Sequence, residues 1–236
     1  MKVSEKNGLE TFDALELQRT LQRRAFLRYT GYAGTAIAAS SLLTLASCKD
    51  KDPVDEKGVN FGSGDFAILN YAYALEQLEA AFYTQVVASP FTGMTTGEKS
   101  LLTDVRDHEI AHREFFKAAL GTNAIQGLEV DFSTINFTSR DSVLGTAKAF
   151  EDLGVSAYNG AGRYLASADF LLLAGKIVSV EARHAAYIRD LISNGTFAGS
   201  DVIDGNGLDK SRKPREVLGI AATYVKTKLD ASTLPA

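Results

Sequence analysis

The chain has no tryptophan, only four prolines, three histidines and a single cysteine in its 236 residues. So few prolines leave long stretches in which nothing interrupts a helix. A single cysteine, Cys48, has no partner for an internal disulfide. Charge of one sign is also scarce: the formal net charge is −4, and no long basic stripe is present. That argues against nucleic acid as a partner. The apolar fraction, 45%, is ordinary for a globular chain with a real core. The length suits one domain plus a targeting segment.

Two of the three histidines follow a glutamate by three residues, in Glu109-Ile110-Ala111-His112 and Glu181-Ala182-Arg183-His184. Both patterns lie in stretches that read as long helices. On a helix, positions i and i+3 share a face, so each pattern aims a carboxylate and an imidazole at one point.

The apolar spacing predicts four long helices. The first runs from about Asp65 to Val87, with a seam at Ala72, Leu75, Glu79, Phe82 and Val86, and ends at Ser89-Pro90. The second opens at Thr95 with Glu98 at capping-box spacing and stops at Gly121. Residues 122–140 have no helical period; Val130, Phe132, Ile135 and Phe137 are their apolar pegs. A loop this long is what a crossover along a bundle needs. Helix three opens at Asp141 or Ser142 and runs through Tyr164. Helix four starts at Ser167 or Asp169 and ends near Asn194-Gly195. After a Gly/Asp-rich loop, Pro214 opens a short fifth helix reaching about Leu229. The basic run at 210–215 reads as a solvated loop. The fold class is therefore all-α: a four-helix bundle with a long crossover between helices two and three and a short C-terminal helix. The segments expected are 65–195 for the bundle and 196–236 for the C-terminal loop and helix.

The chain repeats itself. Ala74-Leu75-Glu76 matches Ala149-Phe150-Glu151, and seven residues past each glutamate comes a tyrosine, Tyr83 and Tyr158. Glu109/His112 in turn matches Glu181/His184. Two similar helix pairs about an approximate two-fold axis would gather six groups: Glu76, Glu109, His112, Glu151, Glu181 and His184. Four carboxylates in one core need cations to balance them. On helix one, Glu79 lies on the seam. The repeat sets Gly154 opposite Glu79 and Glu151 opposite Glu76, so Glu76 is the expected metal ligand and Glu79 an alternative or supporting carboxylate. Tyr83 and Tyr158 are either core aromatics or hydrogen-bond donors to a ligand carboxylate. His108 has no partner at the same spacing and is not expected to be a ligand.

The N-terminus reads as an address. Arg23-Arg24-Ala25-Phe26-Leu27 resembles a twin-arginine export signal. The mildly apolar stretch 29–44 leads into Leu45-Ala46-Ser47-Cys48, which resembles a lipobox with Cys48 as the lipidated residue. Residues 1–47 are then a signal segment and 48–64 a charged tether. The expectation is an exported cell-envelope lipoprotein, on the periplasmic side or the cell surface, held to the membrane by its lipid.

The order Glu…Tyr, Glu-x-x-His, Glu…Tyr, Glu-x-x-His resembles the ferritin-like superfamily: bacterioferritin, rubrerythrin and related di-iron carboxylate proteins. The stretch 69–83, Leu-Asn-Tyr-Ala-Tyr-Ala-Leu-Glu-Gln-Leu-Glu-Ala-Ala-Phe-Tyr, resembles exported bacterial ferritin-like proteins related to plant desiccation-related proteins. The resemblance covers about 65–195. It implies a di-metal centre holding two iron ions, with manganese as the alternative. Glu109 and Glu181 would bridge the metals, and Glu76 and Glu151 would each cap one. It also implies ferroxidase or peroxide- or oxygen-consuming chemistry of the kind used against oxidative stress. The expected partners are metal ions, oxygen or peroxide, and the membrane; an oligomeric partner is left open. The competing expectation is a non-enzymatic stress or desiccation-related envelope protein with a structural metal or none.

Overall fold

The computed structural model describes residues 58–236. The expected signal segment 1–47, Cys48 and the tether up to residue 57 lie outside the described residues. Four long helices follow: α1 (Gly64–Ala88), α2 (Thr96–Leu120), α3 (Arg140–Ala161) and α4 (Ala168–Ile192). A short α5 (Pro214–Ala221) comes after them. Two two-residue strands, β1 (Val59–Asn60) and β2 (Leu229–Asp230), pair in parallel.

Local chemistry sets the helix ends. Thr95 and Glu98 form the expected capping box, each side chain meeting the other's backbone N–H. The Ser139 and Ser167 hydroxyls accept the Ser142 and Phe170 amides and open α3 and α4. Gly121, at φ 54°, takes the chain out of α2 in a conformation that suits glycine. Asp65 accepts the Ala166 and Ser167 amides at 2.7 and 2.9 Å, which ties the start of α1 to the start of α4.

The helices form two hairpins, α1 with α2 and α3 with α4, laid against each other mainly through α1 and α3. The expected seam on α1 proves too narrow: the helix is buried on nearly every side. The crossover explains this, since it runs along the outer face of α1. Asn70 accepts the Ile125 amide and donates to the Phe61 and Asn123 carbonyls. Gln77 accepts the Leu128 amide at 2.8 Å. These two polar side chains satisfy backbone groups that the loop would otherwise bury unpaired. Phe82 on α1 meets Phe132 and Phe137 of the crossover and Phe150 of α3, with ring centroids 5.1–5.9 Å apart.

Two expectations are corrected. The segment before α1 is not tether up to residue 64: β1 pairs with β2, and Phe61 is fully buried in the core. Burying a phenylalanine contributes about 1.5–3 kcal/mol, enough to fix this segment to the bundle. The fifth helix stops at Ala221 rather than near Leu229. Beyond it the backbone pairs with the crossover instead: the Asp131 amide donates to the Tyr224 carbonyl at 2.8 Å, and the Lys226 amide to the Glu129 carbonyl at 2.7 Å. Tyr224, Val225 and Thr227 are residue types that favour such extended pairing.

The basic run is less solvated than expected. Arg212 donates to the Ser156 hydroxyl, and Arg215 to the Leu234 carbonyl. The Arg212 amide also donates to the Ser156 carbonyl, and a β-carbon on Gly160 would lie 1.7 Å from the Arg212 carbonyl oxygen. Only glycine permits that approach. The loop after α4 is fastened by buried Arg189, which makes paired hydrogen bonds to Asp152 on α3 and to Asp201 in the loop.

Candidate metal centre

Each helix delivers its expected groups to one place in the core. Glu76 comes from α1, Glu109 and His112 from α2, Glu151 from α3, and Glu181 and His184 from α4. They form two overlapping clusters. In the first, ligand atoms of Glu76, Glu109, His112 and Glu181 all lie within 4.8 Å of one another; in the second, those of Glu109, Glu151, Glu181 and His184 do. Glu109 and Glu181 belong to both.

The distances repeat across the approximate two-fold. His112 Nδ1 lies 2.8 Å from Glu181 Oε1 and 3.5 Å from Glu76 Oε2. His184 Nδ1 lies 2.9 Å from Glu109 Oε1 and 3.5 Å from Glu151 Oε2. The remaining oxygens of the outer glutamates are held by the two tyrosines. Tyr83 Oη donates to Glu151 Oε1 at 2.5 Å, and Tyr158 Oη donates to Glu76 Oε1. Of the two roles open to Tyr83 and Tyr158 in the sequence, the donor role is the one observed.

Eight buried atoms in this cluster have no hydrogen-bond partner: one oxygen each of Glu76 and Glu151, both oxygens of Glu109 and Glu181, and Nδ1 of His112 and His184. Among the described residues the only other such atom is Tyr71 Oη. Leaving one buried polar group unpaired costs about 1–3 kcal/mol, so eight in one place call for a shared partner. Carboxylate oxygens and imidazole nitrogens converging in fours are a donor set that fits divalent iron or manganese. The buried Glu/His cluster is thus compatible with a di-metal site.

The electrostatics fit the same picture. Burial, then the charge of Glu181, raises Glu76 and holds Glu109 well above the usual carboxylate range. Burial pushes Glu151 up to about 7. Burial works against Glu181 as well, yet the two imidazoles hold it low. Burial favours neutral imidazoles, but the surrounding carboxylates outweigh it and push His112 and His184 up to about 12. Without metal, the two imidazolium groups are therefore the counter-ions of the carboxylates. A bound metal would displace their protons.

Glu79 is buried beside the cluster but belongs to neither group of four. Burial, then the charges of Glu109 and Glu151, holds it well above its ordinary range. Its carboxylate fills the space left by Gly154: a β-carbon there would stand 3.2 Å from Glu79 Oε1. The pair that the repeat set opposite each other is thus in contact, and the site departs from two-fold symmetry there.

The sequence reading missed His108. Its Nδ1 lies 2.9 Å from His184 Nε2, and the two rings stack with centroids 5.2 Å apart. One signal was available: His108 lies one turn before His112, on the same helix face.

Comparison with protein families matches residues 64–194 to the ferritin-like domain. No curated protein matches the chain. The matched span begins at the first residue of α1 and closes just past α4, enclosing both clusters and the crossover; the chain belongs to the ferritin-like domain family.

Proposed function

We propose that the chain is a di-metal protein holding two iron ions, or manganese, whose centre consumes oxygen or peroxide. The observation that carries this reading is the set of eight unpartnered buried atoms on six residues from four helices. Glu109 and Glu181, common to both clusters, hold the two positions together. Glu76 and Glu151 take the outer sides, each fixed by a tyrosine that occupies its second oxygen. His112 and His184 present Nδ1 inward. A pair of such metals, when bound, supplies electrons to an oxidant. The chain's own contribution is a core in which ligands are already positioned and few waters compete. Ferroxidase or peroxide-scavenging activity is the corresponding function.

The same proposal places the protein outside the cytoplasm, exported through Arg23-Arg24 and lipidated at Cys48. Among the described residues no helix is long and apolar enough to cross a membrane, so the lipid would be the membrane contact. Mass spectrometry of Cys48, with a Cys48→Ser control, tests that part: an unmodified thiol in envelope fractions rejects it.

The test of the centre is elemental analysis of the purified full chain after anaerobic loading with Fe(II) or Mn(II). About two metals per chain, lost in Glu109→Ala and His184→Ala, is the expected result for a bundle of this type. A chain that takes up neither metal rejects the enzymatic reading and leaves the bundle as a non-enzymatic envelope scaffold.

A further inference from the structure

A second feature lies at one end of the bundle, beside the metal centre. A cavity of about 20 Å³ is enclosed by the first half of α1, the last turns of α2 and α3, and the start of α4. Leu69 and Ala72 line it from α1, Phe116 from α2, Tyr158 from α3 and Ala174 from α4, with Leu165 from the turn between α3 and α4. Small residues where the helices meet, Ala72 and Ala174 among them, leave the space open. A void holds a water-sized body once it offers roughly 10–15 Å³ to the probe, so this one is large enough for a single small molecule.

The lining decides which molecule. Its only polar side-chain groups are the hydroxyls of Tyr71 and Tyr158. Tyr158 has already given its proton to Glu76. A buried water needs about two to four polar partners, whereas dry apolar cavities take up apolar ligands such as xenon. Hydrogen peroxide, which donates two hydrogen bonds and accepts more, fits such a wall no better than water does. Dioxygen is a small apolar molecule that needs no hydrogen bond.

The position gives the cavity a purpose. Leu75 and Tyr158 both line it. Leu75 immediately precedes Glu76, and Tyr158 holds Glu76. One side-chain layer therefore separates the cavity from an outer carboxylate of the cluster. We propose that this cavity is a dioxygen-binding site that delivers the gas to the centre past Tyr158 and Glu76. It makes dioxygen, rather than peroxide, the oxidant of the proposed activity, and in that respect it rests on the oxidation reading above.

Methyl NMR of the full chain under xenon pressure tests the site without any metal. Saturable shifts confined to the methyls of Leu69, Ala72, Leu165 and Ala174 are expected. Ala174→Leu, at a half-buried position where a larger side chain is tolerated, should abolish them. In the Fe(II)-loaded chain the same substitution should raise the dioxygen concentration for half-maximal rate by roughly tenfold, the low end of what one or two methylenes do in an apolar pocket. Its rate with hydrogen peroxide should not change. An absence of xenon shifts in the unsubstituted chain overturns the cavity assignment even if oxidation is normal. Equal slowing with both oxidants overturns it too. Xenon shifts in an iron-loaded chain that reacts with neither oxidant overturn the oxidation reading, and the dioxygen assignment with it.

Discussion

Nδ1 of His108 lies 2.9 Å from Nε2 of His184, at the edge of the cluster and on the helix opposite. For His184 to offer Nδ1 to a metal, its proton must sit on Nε2, and His108 is the acceptor that keeps it there. A partner of this kind fixes the tautomer and the ring orientation of a ligand histidine. His108→Ala should therefore weaken metal binding by about 10–100-fold, the usual cost of losing such a partner. His108→Gln, which keeps an acceptor, should recover part of it. Calorimetric titration of Mn(II) into the three proteins separates these outcomes; equal affinity in all three rejects the role.

Glu76→Gln and Glu79→Gln should differ. Glu76 Oε2 is one of the converging atoms, and Glu79 stands outside both groups of four. Loss of Glu76 should remove one of the two metals, whereas Glu79→Gln should keep both. Elemental analysis after loading decides it, and retention of both metals in Glu76→Gln would transfer the ligand role to Glu79.

Without metal, stability should fall as pH rises from about 4.5 to about 7. Glu151 ionises near its ordinary value of 4.5 in the unfolded chain but only at about 7 in the folded one. Between those values the folded chain holds more protons, and stability decreases with pH. His112 and His184, pushed up to about 12 from an ordinary 6.5, extend the decline above neutrality. Metal-loaded protein should show the opposite trend, because each ligand must shed its proton to bind. Thermal melts of both forms between pH 5 and pH 8 check this, with parallel slopes as the contrary result.

Arg189→Ala should destabilise the chain by about 3–5 kcal/mol, the cost of leaving a buried ion pair without one partner. Asp152 would be left half-buried against α4, while the exposed Asp201 adds less. Urea unfolding measures the loss. Limited proteolysis should also open the 195–209 loop first, since Arg189 donates there to the Thr196 carbonyl and the Asp201 carboxylate.

Much of the fold could be read from the sequence, because the evidence for it is local and repeated. The i, i+3 spacing of Glu109 with His112 and Glu181 with His184 needs only helix geometry. Doubling of the pattern identified Glu151, and through it Glu76, on a helix where burial alone does not distinguish Glu76 from Glu79. What escaped depends on partners far away in the chain. Phe61 sits among Gly58, Gly62 and Gly64 and looks like linker until β2 and the core are in place. The early end of α5 follows from backbone pairing with Glu129 and Asp131, almost a hundred residues upstream. Asn70 and Gln77 look like helix-surface residues, yet they anchor the crossover. His108 has no partner on its own helix; its partner is on α4.

The pairing of β1 with β2 has a mechanical side. Val59 faces Leu229 and Asn60 faces Asp230, and the Asn60 amide also donates to the Asp230 carboxylate at 3.1 Å. Tension applied to the chain ahead of Gly58 therefore loads this short zipper before it reaches α1. The same closeness makes the two ends of the described chain neighbours. A circular permutant that joins residue 236 to residue 58 by a brief linker, and opens in the exposed 204–207 turn, would keep every helix hairpin intact.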